Sequence, residues 1–175
     1  SLPEEPEAPE RLRALLSYEQ EDHAFTPGEV QRLVKAIDAL RALDPACGSG
    51  AFPMGLLHKL VHALRRLDPD NVHWRRVQIE RAKREAGEAF AIVDRAARQE
   101  RLQEIERAFE RNLDDYGRKL YLIENCIYGV DIQPIAVQIA KLRFFIALVV
   151  DQRPDDALPN RGILPLPNLE TRFVA

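Results

Sequence analysis

Apolar positions fall at helical spacing along most of this chain and turn strand-like only in short runs. Val30, Leu33, Val34 and Ile37 form an i, i+3, i+4, i+7 stripe. A start signal stands before them in Thr26-Pro27-Gly28-Glu29. Thr26 suits the N-cap, Pro27 the first helical position, and Glu29 the third position of a capping box. Residues 11–19 predict a short helix before it. An apolar run at residues 37–43 leads into a short strand at about 41–44. The next helix, at residues 52–67, carries Phe52, Leu56, Leu60, Ala63 and Leu67 on one side, and Asp68-Pro69-Asp70-Asn71 ends it. Residues 74–113 read as a long charged helical region with acids and bases alternating, as i, i+4 pairing on a solvated face requires. A helix at 115–123 and a strand at 126–130 follow. Pro134 opens a helix to residue 150 that is apolar almost all round, which predicts cover on more than one side. Residues 151–169 contain four prolines and a glycine and predict irregular chain; 172–175 begin a strand.

With 175 residues, 46% hydrophobic and 30% charged, the chain can bury a real core. Residues 1–10, with three prolines and four glutamates, read as a linker-like lead. A net charge of -3 argues against a surface that grips nucleic acid everywhere, though a local basic face remains open. Cys47 and Cys126 lie in no CxxC pair, so neither a disulfide framework nor a zinc site is expected. The longest apolar stretch, 135–150, is broken by Gln138, Lys141 and Arg143, so no membrane span is expected. The acidic, proline-rich start is the opposite of a signal peptide, and a cytoplasmic location is the default expectation. The chain begins without Met and reads as a piece of something longer.

The most specific string is Asp44-Pro45-Ala46-Cys47-Gly48-Ser49-Gly50-Ala51-Phe52. An acid, a proline and two glycines between a strand and a helix make a tight turn at a helix N-terminus. There a ligand approaches bare backbone. A plain strand-to-helix turn remains the alternative for GxG alone. The second string is Ile127-Tyr128-Gly129-Val130-Asp131-Ile132-Gln133-Pro134. An acid ending a second parallel strand can accept the two hydroxyls of a ribose; it can equally cap the helix that Pro134 opens. Asp131 lies 87 positions beyond Asp44 (131 − 44), against roughly 20 in the dinucleotide fingerprint. A helical insertion between the strands accounts for the gap at little entropic cost.

DPACGSGAF, with FTPGEV upstream and GVDIQPIAVQIAKLRFFI downstream, resembles the S-adenosylmethionine-binding half of gamma-type DNA adenine-N6 methyltransferases of the large restriction-modification and phage-exclusion kind. PLPNLETRFVA resembles the approach to that family's next motif. The resemblance covers roughly residues 20–58 and 121–175. It implies an α/β fold: a partial Rossmann-like methyltransferase fold with a mostly parallel sheet of few strands and a long helical insertion, helix-rich overall. Residues 1–19 would be a lead and short helix, and 20–175 a partial methyltransferase domain with the insertion at about 68–120. It implies S-adenosyl-L-methionine as cofactor. Thr26 and Pro27 would sit by its methionine end; Asp44, Ala46, Cys47, Gly48 and Gly50 would line its amino-acid portion. Asp131 would hold the ribose hydroxyls, and Ile132 would pack on the adenine.

The family's catalytic loop, Asn/Asp-Pro-Pro-Tyr/Phe, is missing, since the sequence contains no Pro-Pro pair. The expectation is a chain that binds cofactor but does not itself methylate adenine, with double-stranded DNA engaged by parts of a parent protein outside this sequence. In this family the first strand lies mid-sheet; left at an edge, it predicts self-association or marginal stability. Rival readings are a methyltransferase of RNA or protein, and a non-catalytic helical interaction module. His58 and His62 have metal-ligand spacing, but Lys59 stands where the zinc-protease pattern needs Glu, and no metal is expected. The arginines of the insertion offer phosphate contacts or a solvated, domain-docking face. Trp74 and Phe90 read as packing residues.

Overall fold

The computed structural model describes residues 8–19, 23–111, 115–152, 154, 156–157, 159–163 and 167–175. The elements run α1 (Ala8–Leu16), α2 (Pro27–Ala39), β1 (Ala42–Asp44), α3 (Ala51–Leu67), α4 (Val72–Ala89), α5 (Arg95–Arg111), α6 (Asp115–Asn125), β2 (Ile127–Val130), α7 (Pro134–Val149), a single turn at Pro159–Gly162, and β3 (Phe173–Val174). The described residues are helix-rich with one small parallel sheet, consistent with a partial α/β fold. The segment 1–7 of the linker-like lead lies outside the described residues, as do parts of 151–169. The chain divides into two compact units. One holds the residues up to Asp38 and His62–Gly117, the other Ala39–Val61 and Arg118–Ala175.

In the first unit the capping box forms as the sequence predicts. The Thr26 backbone N–H and hydroxyl donate to Glu29 Oε2 at 2.7 and 2.8 Å, and the Glu29 N–H reaches back to Thr26 Oγ1 at 3.4 Å. Arg11 of α1 donates to the same carboxylate oxygen at 2.9 Å and lies over the Phe25 ring. Arg66, near the end of α3, donates to the carbonyls of Ala14 and Leu15 at 2.7 and 2.8 Å, where α1 has run out of its own donors. Asp68 accepts from the His73 and Trp74 N–H groups at 3.1 and 2.7 Å, capping α4 from outside the helix and fixing the fully buried Trp74. Asp38 of α2 takes Gln78 and Arg81 of α4.

The charged region is not one helix. It breaks at residues 90–94, and Asp94 restarts it by accepting from the Ala96 and Ala97 N–H groups at 2.9 and 3.2 Å. Phe90 lies at this break and is exposed, contrary to its reading as a packing residue. Trp74 does pack.

The second unit is built on the sheet β1-β2-β3, all parallel, with Asp44 level with Gly129 and Gly129 level with Phe173. α7 makes the crossover from β2 to β3 that parallel pairing requires. Its inner face, Val137, Ala140, Phe144, Ala147 and Leu148, is buried, and Phe144 meets Phe173 at 4.7 Å between ring centroids. From α6, Lys119 donates to the Ala147 carbonyl at 2.8 Å and pairs with Asp151 at 2.5 Å, placing a cation at the C-terminal end of α7. α7 also carries Lys141, whose buried ammonium meets Glu170 at 2.6 Å just ahead of β3. Ile135, Ile139, Leu142 and Ile146 on the outer face of α7 are exposed, so among the described residues the cover expected on more than one side is found on one. α3 buries Leu57 and Leu60 in this unit and Ala63, Leu64 and Leu67 in the first; Phe52 and Leu56, assigned to that stripe from sequence, are exposed and half-exposed. β1 stands at the edge of the sheet, the position expected of it.

Candidate functional site

In the second unit, seven of the nine sequence-predicted residues come together where β1 and β2 end side by side. Asp44 closes β1, and its Oδ1 accepts the Ala46 N–H at 3.1 Å, folding the chain back over Pro45. The Cys47 N–H donates to the Val130 carbonyl at 2.9 Å, which stitches the turn to the end of β2. Gly50 closes the turn with an N–H bond to the Cys47 carbonyl at 2.8 Å, and its own carbonyl receives the Met54 N–H as α3 begins.

Both glycines are required by backbone angle: φ is +52° at Gly48 and +82° at Gly50. Their surroundings differ. A side chain at Gly50 would come within 2.9 Å of Ala140 Cβ and 3.1 Å of Ala140 Cα on α7. At Gly48 nothing lies within 4 Å of that direction, so the backbone there is open to approach.

Asp131 joins the two strings. Its Oδ2 accepts the Gly48 N–H at 2.9 Å across 83 residues, and its Oδ1 accepts the Gln133 N–H at 2.9 Å ahead of α7. A carboxylate has about four lone-pair directions, so two backbone bonds leave it able to accept two more donors. Ile132, next in sequence, is 94% exposed, an apolar surface with nothing packed on it. Cys47 is buried, and burial, with the Asp44 and Asp131 charges nearby, pushes its thiol pKa up. A raised pKa disfavours the thiolate, which is the nucleophilic form.

Thr26 and Pro27 belong to the first unit, where they start α2. Glu29 beside them is held at a pKa of about 2, first by the Arg11 hydrogen bond and then by the Thr26 N–H and hydroxyl.

Gly129 is a residue the sequence reading quoted without giving it a role. A side chain there would meet the Phe173 ring at 2.7 Å and Cys47 Sγ at 2.9 Å, so this strand glycine lets the turn and β3 close onto β2. A glycine inside an apolar strand was the available signal. His62 bonds the Ser17 carbonyl at 2.8 Å and lies against Tyr18. Among the described residues no three His, Cys, Asp or Glu side chains gather as a metal site, and no helix is long and apolar enough to cross a membrane.

No family model matches the chain, and no solved structure does. Among curated proteins it is similar to one from Methanocaldococcus jannaschii, provisionally named a type II restriction enzyme and methyltransferase. The two are 34% identical over 134 residues, which is 77% of this chain. The chain spans 8% of the length of that relative.

Proposed function

We propose that this chain is the S-adenosyl-L-methionine-binding part, Rossmann-like in fold, of a DNA methyltransferase that methylates the N6 amino group of adenine in a restriction-modification or phage-defence system. The observation that carries the reading is the Asp131–Gly48 bond, which puts two carboxylates, an open glycine backbone and an exposed isoleucine at the ends of two adjacent parallel strands. Ligands of parallel α/β sheets bind outside the carboxyl ends of the strands. The name of the Methanocaldococcus jannaschii relative supports methyl transfer as the chemistry. The adenine specificity rests on the motif resemblance.

The donor set fits the cofactor. Asp44 receives its ammonium group, and Ala46, Cys47, Gly48 and Gly50 line the amino-acid portion with backbone and small side chains. The free lone pairs of Asp131 accept the ribose hydroxyls, and Ile132 offers its apolar surface to the adenine. Thr26 and Pro27 are assigned to the methionine end on the resemblance. The bound cofactor supplies an electrophilic methyl on sulfur; the work of these residues is to hold and orient it. With no Pro-Pro pair in the sequence, base contact and transfer to double-stranded DNA are assigned to other parts of a larger protein.

Isothermal titration with S-adenosylmethionine and S-adenosylhomocysteine tests the reading. Binding to both is expected, with Asp131→Asn weakening it about tenfold, the loss of one charge-assisted hydrogen bond. Circular dichroism checks that the variant still folds. A folded wild type that takes up neither compound refutes the proposal.

A further inference from the structure

One guanidinium on α1 holds the approach to α2. Arg11 Nη2 donates to the Ala24 carbonyl at 2.5 Å and to Glu29 Oε2 at 2.9 Å, which uses both of its hydrogens. The guanidinium carbon lies 4.5 Å from the centre of the buried Phe25 ring, within cation–π range. The Glu29 oxygen that takes Arg11 also takes the Thr26 N–H and hydroxyl. Ala24, Phe25 and Thr26 are thus tied to another helix, directly or through Glu29. The Arg11 and Glu29 side chains are only 18% and 9% exposed, whereas Thr26 and Pro27 are exposed. A capping box needs the Thr and the Glu alone, and Gln serves in place of the Glu. The cation is an addition to it, and its effect is distinct. Glu29 is ionised in any ordinary buffer, and Arg11 supplies the countercharge.

We infer that Arg11 is a positioning residue of the cofactor site, acting through Glu29 to neutralise and orient the Thr26-Pro27 stretch that receives the amino-acid end of S-adenosylmethionine. The inference rests on the cofactor reading proposed above. That end of the cofactor carries a carboxylate beside its ammonium. Without Arg11, Glu29 becomes an uncompensated, largely buried negative charge next to the residues assigned to it, where salt screens poorly. The adenosine end carries no charge at neutral pH and is assigned to Asp131 and Ile132, so it does not depend on Arg11. Nor does α1 need Arg11 to stay seated. Leu15 is buried, Arg66 donates to the Ala14 and Leu15 carbonyls, and His62 bonds the Ser17 carbonyl.

Calorimetric titration of the full 175-residue chain with two probes provides the test: S-adenosylhomocysteine, which has the amino-acid end, and 5′-methylthioadenosine, which lacks it. Arg11→Met should weaken S-adenosylhomocysteine about tenfold, the effect of one charge-assisted interaction, and leave 5′-methylthioadenosine unchanged. Adding Glu29→Gln to Arg11→Met removes the stranded charge but keeps a capping residue, and should restore S-adenosylhomocysteine to within about twofold of wild type. Circular dichroism and thermal melts check that each variant folds. Should Arg11→Met alone unfold the chain, the double variant set against wild type and Arg11→Lys carries the comparison. Unchanged S-adenosylhomocysteine binding in a folded Arg11→Met chain overturns the inference and leaves the cofactor reading standing. Equal losses for the two probes also overturn it, since Arg11 would then be supporting the fold generally. So does a double variant that recovers nothing, because Arg11 would not be acting through Glu29. A folded wild type that binds neither probe removes the cofactor reading and this inference together.

Discussion

Gly48 and Gly50 look equivalent in the sequence but carry different duties. Both sit at positive φ, where a Cβ costs roughly 1–2 kcal/mol. Gly50 adds a steric demand, because Ala140 of α7 occupies the space a side chain would need. That neighbour is helix backbone and Cβ, which cannot swing aside as a long side chain would. Gly50→Ala should therefore destabilise the chain by about 3 kcal/mol or more, combining backbone strain with overpacking. Gly48→Ala should cost only about 1 kcal/mol. Urea unfolding of the two variants checks this; equal losses would mean that α7 does not press on the turn. Cys47 shows a similar division. In sequence it stands beside Gly48 as one more small residue of the turn, but it is buried, and its Sγ occupies the space a side chain at Gly129 would need.

At the scale of elements, α2 shows how far local chemistry specifies structure. Its start was legible because Thr26, Pro27 and Glu29 act on each other within one turn. Arg11 joins from a distant part of the chain, and the combined donors hold Glu29 near a pKa of 2 against an ordinary value of 4.5. A carboxyl whose folded pKa is depressed contributes stability that is complete above the unfolded pKa and is lost as pH falls through the folded one. The box should therefore weaken progressively from about pH 4.5 to pH 2. Thermal melts of wild type and Glu29→Gln should differ at pH 6 and converge near pH 2; a constant difference across that range would mean the charge contributes nothing. Other features were not legible. The break between α4 and α5 has neither Gly nor Pro, and only Asp94 hinted at a restart. In α3 Leu60, Ala63 and Leu67 were legible as buried; that Leu57 and Leu64 join them rather than Phe52 and Leu56 was set by packing that periodicity does not contain. The same ambiguity hid which face of α7 is open.

On the scale of the whole molecule, the candidate site is assembled from segments far apart in sequence. Parallel pairing of β1 with β2 brings Asp44 and Asp131 together, although residues 62–117 between them belong to the other unit. Loop closure tolerates such a length, since each doubling adds only about 0.6 kcal/mol. A bound adenosyl ligand stabilises the segments it touches by mass action, and their amides should exchange more slowly. Hydrogen exchange with and without S-adenosylhomocysteine should show protection at residues 44–54 and 129–137. α4 and α5, which contribute no residue to the site, should exchange at unchanged rates. Protection at residues 26–30 is a separate readout, because only the resemblance assigns Thr26 and Pro27 to the cofactor. Its absence, with the other two segments protected, would confine the site to the second unit. Protection of α4 and α5 alone would instead make the charged helices the ligand-binding element and remove the glycine turn from the site.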